Sequence, residues 1–177
     1  MRVGEVQGAG PDLDGQGVSL KMKGKIYSSC VQSTMVYGSE TWALKASETQ
    51  QLVRAERMMV RWMCGVSLRD RKASQELLDR LGIVGVEERV RRCRLRWFGH
   101  VERKSDDDWV SKCRRLIVEG QRGRGRGRKT WMQCVDEDME RLKLRKEDAL
   151  DRVVWRNGIL GSRPTRASTE KRTLNRR

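Results

Sequence analysis

No proline interrupts the chain between Pro11 and Pro164. Proline removes a backbone donor and clashes with the preceding turn, so its absence leaves long helices permitted throughout that span. Within it, apolar residues recur every three or four positions, the period of a half-buried helix. The competing pattern is alternation over about four to eight residues with β-branched or aromatic side chains. It is confined to a weak stretch at Ile83-Val84-Gly85-Val86. The expected fold is all-α: small helical bundles with short connections, a basic Arg-Gly arm, and disordered termini.

The periodicity places the helices one by one. Val18 to Tyr37 reads as a helix with Met22, Ile26, Ser29 or Cys30, Ser33 and Tyr37 on one face, stopped at Gly38. Ser47-Glu48-Thr49-Gln50 has the form of a capping box. It opens a helix whose apolar stripe is Leu52, Ala55, Met59, Trp62 and Met63, and Gly65 is its stop. A short helix over Gln75 to Leu81 follows, with Ser74 as cap, Gly82 as stop, and Leu77, Leu78 and Leu81 facing inward. From Val86 to Arg103 the buried face is Val86, Val90, Cys93, Trp97 and Val101. Asp108 to Glu119 carries Trp109, Cys113, Leu116 and Ile117 on one side. Trp131, Cys134, Val135, Asp138 or Met139, and Leu142 mark another amphipathic helix. The last is expected over Lys146 to Trp155, burying Ala149, Leu150, Val153 and Val154. Residues 1–17 are rich in glycine and read as a leader disordered or foreign to the fold. Residues 18–120 form the main helical region, 121–130 the arm, 131–157 a C-terminal helical pair, and 158–177 a disordered basic tail.

Charge narrows the partners. Lys and Arg number 39 against 24 Asp and Glu, giving a formal charge of +15 and an isoelectric point near 10.3. A value above about 9 is the electrostatic footprint of a nucleic-acid binder. The expected partner is RNA and/or DNA, and not a membrane, since no apolar run approaches the ~20 residues of a spanning helix. The five cysteines, Cys30, Cys64, Cys93, Cys113 and Cys134, are odd in number and widely spaced. They read as reduced, buried thiols of a nuclear or cytoplasmic protein, and no pair has zinc-knuckle spacing. Neither a metal nor another cofactor is expected.

The basic residues gather in two places. Gln121-Arg122-Gly123-Arg124-Gly125-Arg126-Gly127-Arg128-Lys129 alternates arginine with glycine and holds no acid. Such a segment cannot bury a core and presents cations to a polyanion, with glycine allowing close backbone approach. Gly-Arg-Gly-Arg resembles the AT-hook core, Arg-Gly-Arg-Pro, which lies in narrow A·T-rich minor grooves where negative potential is enhanced. Here Gly127 stands where that motif has proline. Arg-Gly segments also bind RNA and single strands with little sequence preference. The arm as a plain flexible linker is the alternative. The second gathering is Arg89, Arg92, Arg96 and Arg103 on the outer side of the helix from Val86. These are read either as phosphate contacts or as an ordinary solvated face. His100 on the same helix is a packed, hydrogen-bonding histidine or a nucleic-acid contact. Trp97 and Trp131 are core residues or stacking platforms.

Several strings carry a family resemblance. Gly17-Val18-Ser19-Leu20-Lys21-Met22-Lys23-Gly24-Lys25-Ile26-Tyr27 leads into Met35-Val36-Tyr37-Gly38-Ser39-Glu40-Thr41-Trp42-Ala43-Leu44. Arg96-Trp97-Phe98-Gly99-His100-Val101, Arg124-Gly125-Arg126, Lys129-Thr130-Trp131 and Glu147-Asp148-Ala149-Leu150-Asp151-Arg152 with Trp155 follow in order. Over about residues 17–160 the chain resembles the C-terminal part of the reverse transcriptase polyprotein of non-LTR (LINE-type) retrotransposons. The resemblance implies a helical thumb that cradles primer–template, then a helical linker associated with template RNA and target DNA. The family's catalytic carboxylates sit upstream, in an aromatic-x-Asp-Asp hairpin and an earlier strand, and its endonuclease domain is N-terminal. No counterpart of either occurs here, so the resemblance implies no catalytic residues and no enzyme. Asp106-Asp107-Asp108 lacks the strand context of a polymerase box and reads as acids favoured at a helix N-terminus. The alternative reading of the whole chain is a degenerate retroelement remnant with no retained biochemical function.

Overall fold

The computed structural model describes residues 17–116 and 127–161. Residues 1–16 of the expected leader, residues 117–120 with the predicted Ile117 and Glu119, the arm residues before Gly127, and the tail after Gly161 lie outside the described residues. Among the described residues the chain is helical and contains no strand, as the spacing predicts. No helix there is long and apolar enough to cross a membrane. The chain forms two compact units. Among the described residues the first comprises residues up to Tyr37 together with Ser47–Glu88, and the second comprises Gly38–Ala46 and the residues from Arg89 onward. The division falls inside one helix, at Glu88/Arg89, rather than at the Arg-Gly arm.

The first unit begins with α1 (Leu20–Ile26), capped by Ser19, whose Oγ accepts from Met22 N. A π-helical turn (Tyr27–Val31) links it to α2 (Gln32–Met35). The expected inner face of this stretch is overturned. Met22, Ile26 and Tyr37 are exposed, the last at 85%, while Leu20, Gly24, Tyr27 and Gln32 are buried. Gly24 supplies the reason. A Cβ there would lie 2.9 Å from the Leu81 carbonyl carbon, so only this face lets the helix pass so close to the chain at Leu81. The π turn then adds one residue to the repeat. Gln32 N donates to Tyr27 O, five residues back, and Gln32 rather than Val31 points inward.

Helix α3 (Ala46–Met63) starts one residue before the expected Ser47 cap, and Gly65 (φ 63°) stands at the predicted stop. Helix α4 (Ser74–Leu81) ends at Gly82 in the left-handed conformation (φ 66°, ψ 35°), as predicted. Val60, Leu77, Leu81 and Ile83 close the core with Leu20 and Tyr27, and Met59 and Met63 pack on its rim. Burying each such side chain stabilises by roughly 1.5–3 kcal/mol. Trp62, expected in the stripe, is 85% exposed, and Ala55 is exposed too. The stripe is turned because Glu56 takes the inward position. Its Oε2 accepts from Val86 N at 2.8 Å and its Oε1 from Gln32 Nε2 at 3.0 Å, with Tyr27 OH at 3.5 Å. The other proton of the Gln32 amide goes to Val84 O at 2.7 Å. Burial pushes the Glu56 carboxyl above its ordinary value, against the lowering effect of these donors.

Helix α5 (Val86–Glu102) passes from the first unit into the second. The second unit adds α6 (Trp109–Arg115), α7 (Trp131–Leu142), a 3₁₀ turn (Glu147–Leu150) and α8 (Arg152–Ile159). Its core is Leu95 and Phe98 of α5, Val135 and Met139 of α7, and Leu144, Ala149, Trp155 and Ile159. Thr130 and Gln133 form a reciprocal capping box on α7. Asp108 caps α6 by accepting from Val110 N, in line with an N-terminal role for the aspartates. A hydrogen bond from Lys104 Nζ at 2.9 Å, together with the one from Val110 N, holds the Asp108 carboxyl below its usual range.

Three expectations fail in this unit. The face of α6 is not buried: Trp109 is 79% and Leu116 70% exposed, and Cys113 is exposed. Only Ser111 of that helix lies in the interior. The last helix does not run from Lys146. The 3₁₀ turn ends at extended Asp151 (φ −90°, ψ 112°), whose Oδ1 accepts from Val153 N and Val154 N and restarts the helix. Leu150 and Val153 are left outside, while Trp155, Gly158 and Ile159 are buried. Gly158 and Ile159 therefore belong to the core and not to a tail. Of the cysteines only Cys134 is buried, where burial raises its thiol pKa, and all five are free.

Candidate nucleic-acid interface

Helix α5 carries Cys93, Arg96, Trp97 and His100 on one face, and Arg103 follows in the same phase just beyond its C-terminal end. Helix α8 carries Arg152 and Arg156 one turn apart, and Leu160 follows four residues on at its C-cap. These two faces form the walls of a single cleft of about 760 Å³, with Trp155 and Ile159 also lining it and Glu40 at its edge. All of these residues belong to the second unit. A cleft of this size lies in the range of small-molecule and nucleotide sites.

The walls approach because Gly99 has no side chain. A Cβ at Gly99 would lie 2.5 Å from Trp155 Cδ1. Trp155 is only 2% exposed and donates from Nε1 to Leu95 O at 2.8 Å, with its ring 5.8 Å from that of Phe98. Phe98 and Gly99 face the core, so Trp97 and His100 are turned toward the cleft. Their rings stack with centroids 5.4 Å apart and planes 28° from parallel. Trp97 is half-buried and His100 is exposed. Trp97 is thus at the cleft and not in the core, and His100 has an aromatic neighbour.

Four arginines and one glutamate set the electrostatics of the cleft. Arg103 is held by donation to Ala149 O at 2.6 Å. Glu40 is placed by its own backbone, whose carbonyl accepts from Trp131 Nε1 at 2.7 Å. Trp131 consequently acts as a strut that fixes the Gly38–Ala46 segment. Cys134 Sγ lies 3.8 Å from Leu44 O and secures the same segment.

The expected site residues divide accordingly. Arg96, His100 and Arg103 come together in the cleft. Arg89 and Arg92 are half-buried on α5 outside it, and neither lines the cleft. Two further arginines of α5 serve the core: Arg94, 6% exposed, pairs with Asp138 at 2.5 Å, and Arg91 with the same carboxylate at 3.8 Å. Burial raises the Asp138 carboxyl pKa, opposed by both guanidiniums. Arg122, Arg124 and Arg126 lie outside the described residues. Arg128 is exposed, and Lys129 is tied to Glu137 Oε2 at 2.5 Å, a bond that raises its pKa.

Arg152 and Arg156, with Glu40 at the edge, are charged cleft residues that the sequence reading missed. The arginines' spacing of four around Trp155, just after the capping aspartate Asp151, is the signal that marks them. Among the described residues no group of three or more His, Cys, Asp or Glu side chains is arranged to hold a metal ion. No protein-family model, curated protein or solved structure matches the chain.

Proposed function

We propose that this chain is a non-catalytic nucleic-acid-binding helical module, derived from the C-terminal thumb-and-linker region of a non-LTR reverse transcriptase. The carrying observation is the arginine-walled cleft between α5 and α8, which joins Arg96 and Arg103 to Arg152 and Arg156 beside an aromatic stack. Arginine is suited to this task because its planar guanidinium matches phosphate bidentately and is only weakly hydrated. The arm, with Arg122, Arg124, Arg126, Arg128 and Lys129, supplies a second cationic element. The retroelement origin rests on the ordered sequence strings, and the proposed partner is RNA and/or DNA.

The test is fluorescence anisotropy of the whole chain with structured RNA, A·T-rich duplex DNA and single-stranded DNA over a range of salt. Binding should weaken with salt along a log–log slope of about −0.9 per phosphate neutralised on duplex DNA. Alanine at Arg124, Arg126 and Arg128 should flatten that slope. Absence of binding at low salt, where screening is least, removes the proposal.

A second reading, the degenerate remnant, is favoured by one observation. Tyr37, Trp62 and Leu68 of the first unit are each at least 80% exposed. Large exposed apolar side chains of this kind suit a surface that packed against a now-missing neighbour. A cooperative thermal transition of a monomer, measured by calorimetry and light scattering, counts against this reading.

A further inference from the structure

Resting on the nucleic-acid reading, we infer that the cleft between α5 and α8 is a single-strand site that takes one unstacked nucleotide, its base on the Trp97–His100 stack and its phosphates on Arg152 and Arg156. Three observations carry this. First, the cleft's volume of about 760 Å³ suits a nucleotide, whereas a duplex is wider than any such cavity. Second, the aromatic pair is already stacked, its planes 28° from parallel, and both residues line the cleft, so a base can extend the stack. A base inside a duplex has both faces covered by its neighbours and cannot reach it, and base stacking on aromatic side chains is the recurrent device of single-strand sites. Third, Arg152 and Arg156 are exposed on the opposite wall, one helical turn apart, so their guanidiniums serve successive phosphates of a strand that enters along α8.

Glu40 gives the site a preference. It is the one acid of the cleft, and a carboxylate accepts from exocyclic amino groups. Cytosine, adenine and guanine offer such a group on the edge that a flipped base presents, whereas thymine and uracil offer only a ring N3–H there. The site is therefore expected to favour amino-bearing bases, cytosine among them, over thymine.

The test titrates the full chain with labelled oligo-dC, oligo-dT, oligo-rC and a blunt duplex. Trp97→Leu should weaken oligo-dC binding roughly 5- to 150-fold, the effect of losing one stacked base, while Trp97→Phe stays within a few-fold. Duplex binding should be unchanged in both. Should Trp97→Leu unfold the second unit, the double change Arg152→Ala/Arg156→Ala, at exposed positions, carries the test. It should lower the single-strand salt slope by about 1.4, at ~0.7 per phosphate. Glu40→Gln should shrink the preference for oligo-dC over oligo-dT. A higher affinity for oligo-rC than for oligo-dC makes the strand RNA, the reverse makes it DNA, and either ranking keeps the proposal. Single-strand binding that survives both Trp97→Leu and the double arginine change overturns this inference but leaves the nucleic-acid reading intact. Failure of every oligonucleotide and of the duplex to bind at low salt overturns both.

Discussion

Gly99→Ala isolates the contact that brings the two walls of the cleft together. On an open helix surface this substitution is favourable, because alanine exceeds glycine in helix propensity by about 1 kcal/mol. At position 99 the new methyl group would lie 2.5 Å from Trp155 Cδ1, well inside van der Waals contact. Trp155 has nowhere to retreat, being 2% exposed and packed against Phe98. Overpacking of this kind costs about 1–3 kcal/mol. If the indole swings away it also surrenders the bond from Nε1 to Leu95 O, and an unpaired buried group costs roughly 1–3 kcal/mol more. Set against the propensity gain, the net destabilisation should be on the order of 3 kcal/mol. For a unit of this size that lowers Tm by about 10–20 °C. Thermal unfolding followed by circular dichroism reads it directly, and Trp155→Phe in the Gly99→Ala background should restore part of the loss. A neutral or stabilising Gly99→Ala would refute the reasoning, because it would mean that α8 does not lean on Gly99.

Three further outcomes follow from the same geometry. Glu56 titrates above the ordinary glutamate value of 4.5 because it is buried, so the folded state holds its proton more tightly than the unfolded state. Its contribution is greatest below that value and declines as pH rises to the folded-state value. Urea midpoints measured against pH should fall over that window in the parent and fall less in Glu56→Gln; parallel curves would contradict this. Arg94→Ala leaves the half-buried carboxylate of Asp138 with only the more distant Arg91 and should cost at most about 3–5 kcal/mol, whereas Arg94→Met with Asp138→Leu should recover most of the loss in denaturant titrations. Asp151→Ala removes the acceptor for Val153 N and Val154 N and should cost about 1 kcal/mol, with an equal loss in Asp151→Asn arguing against the cap.

The helices were legible from sequence because their signals are local. The glycine stops at Gly65 and Gly82, and the apolar period of α7, each act within a turn or two. The inward faces were less legible, because a face is chosen by what it meets. Gly24 turns α1 toward Leu81, the π turn moves the repeat to Gln32, and the backbone donor of Val86 draws Glu56 inside. A hydrophobicity pattern ranks glycine, glutamine and glutamate as outward residues and so points Met22, Ile26 and Trp62 the wrong way. The cleft was half legible for the same reason. The α5 wall follows from arginine spacing on one long helix. The α8 wall depends on the break at Asp151, which resets the phase of Arg152 and Arg156 relative to a helix begun at Lys146.

The Gly38–Ala46 segment has a consequence for synthesis. It belongs to the second unit although the chain on both sides of it belongs to the first, and its Glu40 carbonyl waits for an indole 91 residues later. At translation rates of about 5–20 residues per second, roughly 5–18 seconds pass between the emergence of the two partners. Once Glu88 has emerged, about halfway through that interval, the first unit has its whole sequence outside the ribosome while the indole that holds this segment has yet to follow. The order of assembly is thus written into the chain: the first bundle closes early, and the wall that carries Glu40 is set only when α7 arrives.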